Sequence, residues 1–238
     1  MKRFITFLLF QVLAITSFCQ KTEFNLNVYS GFFSYRGNGS ASSSTINYGI
    51  YTPTPYTSNV YGNKSSFSIS FEAQVIKNTK SNFLYGLGLS YDQLKSNIKI
   101  NNAQFSPEVV VINQSYLYDA EGNTKLKNAY FNINPFIGKR FLKNKITLDL
   151  LGGFDFGMCL KSIEEGHATI SSTKTEVHSN VSKPYPSIDF RPRIQFKAGY
   201  KRTGIMIGYS LGLTNYQSIM TSKAYASFLR FGFCYRVR

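Results

Sequence analysis

Along residues 146–161, "ITLDLLGGFDFGMCLK", the apolar side chains occupy every second position. Ile146, Leu148, Leu150, Phe154, Phe156, Met158 and Leu160 share one parity with Gly152. The other parity carries Thr147, Asp149, Leu151, Gly153, Asp155, Gly157, Cys159 and Lys161. Successive side chains on a strand point to opposite faces, so this segment offers one face to a nonpolar medium and one to a polar medium. Soluble strands run to about 5–6 residues, whereas a tilted strand crossing a bilayer needs roughly 9–11. The length of the alternation therefore favours a membrane.

Seven more segments repeat the pattern. In "EFNLNVYSGFFSY", Phe24, Leu26, Val28 and Phe32 share a face. In "SFSISFEAQV", Phe67, Ile69, Phe71, Ala73 and Val75 lie opposite Ser68, Ser70, Glu72 and Gln74. "NFLYGLGLSYD" sets Phe83, Tyr85, Leu87, Leu89 and Tyr91 against Gly86, Gly88, Ser90 and Asp92. "NAYFNINPFIGKRF" sets Phe131, Ile133, Pro135 and Ile137 against Tyr130, Asn132, Asn134, Phe136 and Gly138. After the 146–161 segment, "IDFRPRIQFKAGYK" places Asp189, Arg191, Arg193, Gln195 and Lys197 opposite Ile188, Phe190, Pro192, Ile194, Phe196 and Ala198. "GIMIGYSLGLT" and "SFLRFGFCYRVR" complete the set, the last with Arg230, Gly232, Cys234, Arg236 and Arg238 on its polar face.

The connectors alternate in length. "IKNTKSN", "FLKNK" and "YKRTG" are short and basic; residues 37–64, 93–127 and 162–187 are long and polar. Long alternating with short is the layout of an outer-membrane barrel, with short periplasmic turns and longer extracellular loops. The expected fold is thus all-β, an eight-stranded antiparallel up-and-down transmembrane β-barrel. The apolar pieces "NIKINN" and "VVVINQSYLYD" within 93–127 fit a hairpin that extends the third and fourth strands above the membrane, since a ninth strand would invert every later connector. Pro135 and Pro192 each cost a ladder bond, which predicts a bulge or a strand start at those positions.

The start of the chain adds a destination. "MKRFITFLLFQVLAITSFCQ" has a basic pair, an apolar run from Phe4 to Ile15, and small residues at Ser17 and Cys19, as a secretory signal does. Cleavage is expected before Gln20, leaving residues 20–238 as one barrel domain. Acylation of Cys19 and a retained anchor are the alternatives. Phe18 is bulky for the first, and the run is shorter than the roughly 20 residues a helical span needs. Loss of Lys2 and Arg3 with the signal lowers the formal charge of +15 by only two. For an exported chain such a balance points away from nucleic acid and toward outer-membrane lipids, including lipopolysaccharide, or toward solvated turns and loops.

At this stage a resemblance is visible. The run "AYFNINPFIGKRFLKNKITLDLLGGFDFG", a strand with Tyr130 and Pro135, a short turn and a Gly-aromatic strand, resembles the PorT-like family of outer-membrane β-barrel proteins. The resemblance implies an eight-stranded barrel of small OmpA/OmpX type with both termini in the periplasm, and raises a link to protein secretion across the outer membrane. It implies no shared activity.

An eight-stranded barrel is just wide enough to be filled by its own side chains. The inward parity supplies Glu72, Asp149, Asp155, Asp189, Arg191, Arg193, Lys197, Arg230 and Arg236. Unpaired, such charges are costly to bury, so a lumenal salt-bridge network is expected, with Asp155 and Arg193 as the leading pair. It would plug the lumen or, alternatively, gate a narrow ion path. Cys159 falls near one end of its strand and Cys234 near the other end of its own, beyond the ~7 Å reach of a disulfide, so two free inward thiols are expected. His167 and His178 lie in the long 162–187 connector with Glu164, Glu165, Ser171, Ser172 and Glu176. A flexible loop is a poor scaffold for a triad, and their spacing matches no metal motif. No enzyme, cofactor or metal is expected.

The first long connector is rich in Ser, Asn, Gly and Tyr and reads as disordered or adaptable, with Tyr available for a protein or glycan partner. The function expected is therefore structural or loop-mediated binding without catalysis. A narrow channel, an accessory of secretion and a soluble lipocalin-like periplasmic carrier are the alternatives. An aromatic belt of Phe24, Phe32, Tyr91, Phe156, Phe190, Tyr200, Tyr209 and Tyr235 at the interfaces would set a membrane barrel apart from the carrier.

Overall fold

The computed structural model describes residues 21–50, 52–107, 116–217 and 221–237. The expected signal segment, residues 1–19, lies outside the described residues. Eleven strands appear: β1 Lys21–Arg36, β2 Ser43–Gly49, β3 Thr52–Thr57, β4 Lys64–Asn78, β5 Phe83–Ser106, β6 Tyr116–Lys143, β7 Ile146–Ile170, β8 Glu176–Ser182, β9 Ile188–Tyr200, β10 Thr203–Leu211 and β11 Tyr225–Arg236.

Eight of them form a ring. The antiparallel pairings run β1–β4, β4–β5, β5–β6, β6–β7, β7–β9, β9–β10, β10–β11 and β11–β1, so the sheet closes on itself and leaves no free edge along the barrel. Eight alternating segments joined by hairpins produce this up-and-down order. The short turns close it at one end, where Asn82, Asn144 and Lys201 take positive φ to reverse the chain.

Strand parity sets the wall. Leu26, Val28, Phe71, Leu89, Leu150, Ile194, Ile207 and Phe231 point outward and are exposed, while Asn27, Glu72, Asp155, Arg193 and Arg230 point inward and are buried. Pro135 and Pro192 also point outward, and neither makes a bulge. Pro135 leaves the β6–β7 register unchanged on either side of it, and Pro192 lies just beyond the last β9–β10 pair, Arg193–Ser210. The proline's missing donor is accommodated by a gap in one ladder and by the end of another. The shift in the β6–β7 register falls instead between Ala129 and Tyr130, opposite Leu160.

Above the ring, at the end away from the short turns, β5, β6 and β7 continue into a second tier. The 93–127 connector is the hairpin expected from its sequence as far as it is described, with Ile98 opposite Thr124. Where it is described, the first long connector forms strands rather than a disordered loop. Its β2 runs parallel to β5 from Lys99 to Ser106, taking the edge that β4 leaves at Asn97, and β3 folds back on β2. Ile46, fully buried among Ile98, Ile100, Ala103, Ala168 and Val177, supplies the apolar anchor that a Ser- and Asn-rich composition conceals. The 162–187 connector is likewise a β7–β8 hairpin rather than a flexible loop.

Candidate functional site

The lumen at mid-height is a packed charge cluster centred on Asp155. This carboxylate accepts from Arg230 Nη2 at 2.7 Å, Asn134 Nδ2 at 2.7 Å and Ser210 Oγ at 3.0 Å, and Arg193 Nη1 stands 3.3 Å away. Arg193 also reaches Glu72 at 3.1 Å. Arg191 lies opposite Asp155 across β7–β9 and reaches Asp189 at 3.3 Å and Asp92 at 3.1 Å. All these side chains are buried. Four acids and three arginines thus share one buried centre of ion pairs, and each charge has an opposite partner within reach, the condition for holding ions in a closed interior.

Neighbouring residues shape the centre. A Cβ on Gly88 would meet Glu72 Oε1 at 2.5 Å, so the absence of a side chain there leaves room for the carboxylate. Arg230 stacks over Phe228 at 4.7 Å and Arg191 over Tyr130 at 5.4 Å, which gives the guanidinium faces apolar and π contact where the edges make ion pairs.

A second cluster lies toward the short turns. Arg140 forms ion pairs with Glu23 at 2.8 Å and Asp149 at 2.7 Å, and Arg236 joins Glu23 at 3.1 Å. Lys197 sits opposite Asp149 in the β7–β9 register but donates to Gln74. Of the nine charged positions expected to share a network, six converge on the middle centre. Asp149, Arg236 and Lys197 belong to the lower level, with Lys197 in no ion pair among the described residues. Sequence reasoning left out Glu23, Asp92 and Arg140. Their signal was available, since each continues the inward parity of its strand; Glu23 and Arg140 fall at strand ends, where parity is read last.

Cys159 and Cys234 are both free, on inward positions of β7 and β11. His167 and His178 face each other across the β7–β8 hairpin with ring centroids 6.0 Å apart, and Glu176 stands 3.3 Å from His178. Ser171 and Ser172 lie in the turn of that hairpin. Among the described residues no group of three or more His, Cys, Asp or Glu side chains is placed to hold a metal.

The upper tier is tied to the barrel by a further buried acid. Glu164 accepts from the Thr57 backbone N–H at 2.7 Å and from its hydroxyl at 2.6 Å, and pairs with Lys183 at 2.8 Å, so β3, β7 and the end of β8 meet at one carboxylate. Beside it, a cleft of about 330 Å³ is lined by Tyr61, Lys183, Tyr185, Tyr216 and Gln217. Burial pushes the Tyr216 phenol well above its ordinary value, with Tyr130 and Asp189 adding to the shift, and its hydroxyl stands 2.6 Å from that of Tyr130.

On the outside, Phe24, Tyr200 and Tyr235 lie near the short-turn ends of their strands, and Phe32, Tyr91, Phe156, Phe190 and Tyr209 lie farther toward the opposite end. Phe154, Phe156 and Phe190 form one outward cluster, with Phe190 stacked 5.1 Å from Phe154.

No protein-family model and no curated protein matches the chain, so the PorT-like likeness rests on the β6–β7 residues alone. Among solved structures it is similar to the neisserial surface protein A, at 8% identity and TM-score 0.39 over 90% of this chain and 98% of that one. It is also similar to Ail, the attachment invasion locus protein of Yersinia pestis, in complex with the heparin analogue sucrose octasulfate, at 10% identity and TM-score 0.33 over 91% and 98% of the two chains. The barrel assignment itself rests on the strand pairing.

Proposed function

We propose that this chain is a nonenzymatic β-barrel of a Gram-negative outer membrane, its lumen plugged by the Asp155-centred charge network, and that it acts through the tier built on β2, β3 and β8. The observation that carries this reading is the polarity of the wall. Exposed Leu, Ile, Val and Phe side chains girdle the outside, while charged groups fill the inside, the reverse of what water would stabilise in a lipocalin-like carrier. The Tyr-lined cleft beside Lys183 supports a protein or glycan partner at the loop end. An accessory part in protein secretion is a narrower form of the same reading, suggested by the PorT-like residues of β6 and β7.

Fractionation of expressing cells tests it. The protein is expected in the outer-membrane fraction, as a band that migrates faster unboiled than boiled; a soluble protein without that shift would sink the membrane assignment. A narrow conducting path is the second reading, favoured because Arg191 Nη1, Arg230 Nη1 and Asp92 Oδ1 have no hydrogen-bond partner among the described residues. In planar bilayers the plugged lumen is expected to pass no steady current, and single-channel steps that change on Arg193→Ala would replace the plug with a gate.

A further inference from the structure

The outer wall of β5, β6 and β7 changes character within two rows. Tyr91, Phe131 and Met158 face outward side by side. The next outward row is Gln93, Ala129 and Lys161, and the one above it brings Lys95 directly opposite Lys127, with Lys125 following beside Asn97 and Glu165, and Lys99 beside Asn123. Like charges placed opposite each other across a strand pair repel. Here five lysines share the wall with Glu165, which already engages Lys127, and with Glu121 at the next outward position of β6 beyond Asn123. Three of them, Lys95, Lys125 and Lys127, line a shallow hollow of about 700 Å³ together with Asn97, Asn123, Glu165 and His167. Such an arrangement is stable on its own only as a solvated face, but its position argues for a ligand. Lys95 is four residues beyond Tyr91, about 13 Å along the strand and roughly 10 Å along the membrane normal at the usual ~40° tilt. That is headgroup height above the apolar band.

We propose that this wall binds the phosphate groups of a phosphorylated glycolipid in the outer leaflet. The acyl chains lie along the Tyr91–Phe131–Met158 row, and Lys95, Lys125, Lys127 and Lys161 hold the charged headgroup. Lysine suits the task as a compact, mobile phosphate donor, and Asn97 and Asn123 supply sugar-directed hydrogen bonds. The inference rests on the membrane reading above and adds to it a ligand class and a site.

The test uses the full mature chain folded in detergent micelles, with bisphosphorylated lipid A as probe and native mass spectrometry as readout. K95Q/K125Q/K127Q is expected to weaken binding at least tenfold, and the single Lys95→Gln about threefold, should the triple variant fold poorly. K80Q/K143Q/K145Q, which removes equal charge at the short-turn end, is expected to bind like the parent, and dephosphorylated glycolipid to bind weakly. Equal binding by the parent and the Lys95 variants, equal loss in the short-turn control, or no preference for the phosphorylated lipid would overturn the site. Displacement of the lipid by inorganic phosphate at equal concentration would overturn the lipid source in favour of a soluble anion. A chain that neither inserts into vesicles nor shifts on boiling would instead mark failure of the membrane reading.

Discussion

Strand β5 keeps opposite company below and above Gln93. Below it, Phe83, Leu87, Leu89 and Tyr91 face outward and Gly88, Ser90 and Asp92 face the lumen. Above it, Lys95, Asn97 and Lys99 face outward, and Leu94, Ile98 and Ile100 are buried inside. β6 makes the same exchange: Ile133 and Phe131 give way to Lys127 and Lys125 outside, and Asn132 and Asn134 give way to Leu126 and Ala120 inside. One continuous sheet thus has an inside-out lower barrel and an upper tier organised like a soluble protein, around Ile46, Ile98, Ile100, Ala103, Ala168, Ile170 and Val177. The difference shows what surrounds each part. Burial of apolar surface is driven by water, so the tier that buries it inside is the tier that meets water, and the band that turns it outward meets hydrocarbon.

Breaking the lower centre is expected to have the largest effect. Asp155→Ala removes the acceptor shared by Arg193 and Arg230 and leaves the buried Arg230 without its ion-pair partner while Arg193 keeps Glu72, at a cost of about 3–5 kcal/mol. Urea unfolding in lipid vesicles, followed by the boiling-dependent gel shift, would read it; a loss near zero would mean that the centre is hydrated and open. Next comes the wall. Ile194→Arg places a charge on the outward face at mid-strand, where it is expected to cost about 2–4 kcal/mol in a bilayer and almost nothing in a soluble barrel. The same unfolding assay separates the two. The upper tier gives the smallest change: Ile98→Val is expected to cost about 0.5–1.5 kcal/mol. It should appear as faster amide exchange in β2 and the top of β5, with the β9–β11 amides unaffected. A global loss of protection would show that the two tiers fold as one.

Much of the lower barrel was legible from alternation, because each strand there separates two media and its two parities carry opposite chemistry. The inward positions of Glu72, Asp155 and Arg193 follow from parity alone, and the Asp155–Arg193 contact from similar heights above the short-turn end of neighbouring strands. The upper tier was harder to read. In "LKSNIKINN" the apolar parity moves from the outward set, ending at Tyr91, to the inward set at Leu94, Ile98 and Ile100. That switch is present in the sequence, but composition masks it as a polar connector. His167 and His178 were misplaced for the same reason, since a β7–β8 hairpin with its outward face in water looks like a loop.

By itself the sequence determined the number of barrel strands, their order, the face each residue takes and the end at which the chain turns tightly. These are local properties, carried by period-two alternation and by turn residues such as Asn82 and Asn144. Only the tertiary structure decided which charges meet: that Arg191 turns to Asp92 and Asp189 while Arg230 takes Asp155, that Arg140 draws Asp149 away from Lys197, and that β2 enters parallel to β5 to roof the barrel. Arg191–Asp92 and Arg230–Asp155 cross the lumen between strands that are not neighbours, while Arg191–Asp189 lies within β9 and Arg140–Asp149 across one short hairpin. They depend on the shear of the closed ring and on side-chain reach, and no alternation within one strand encodes either.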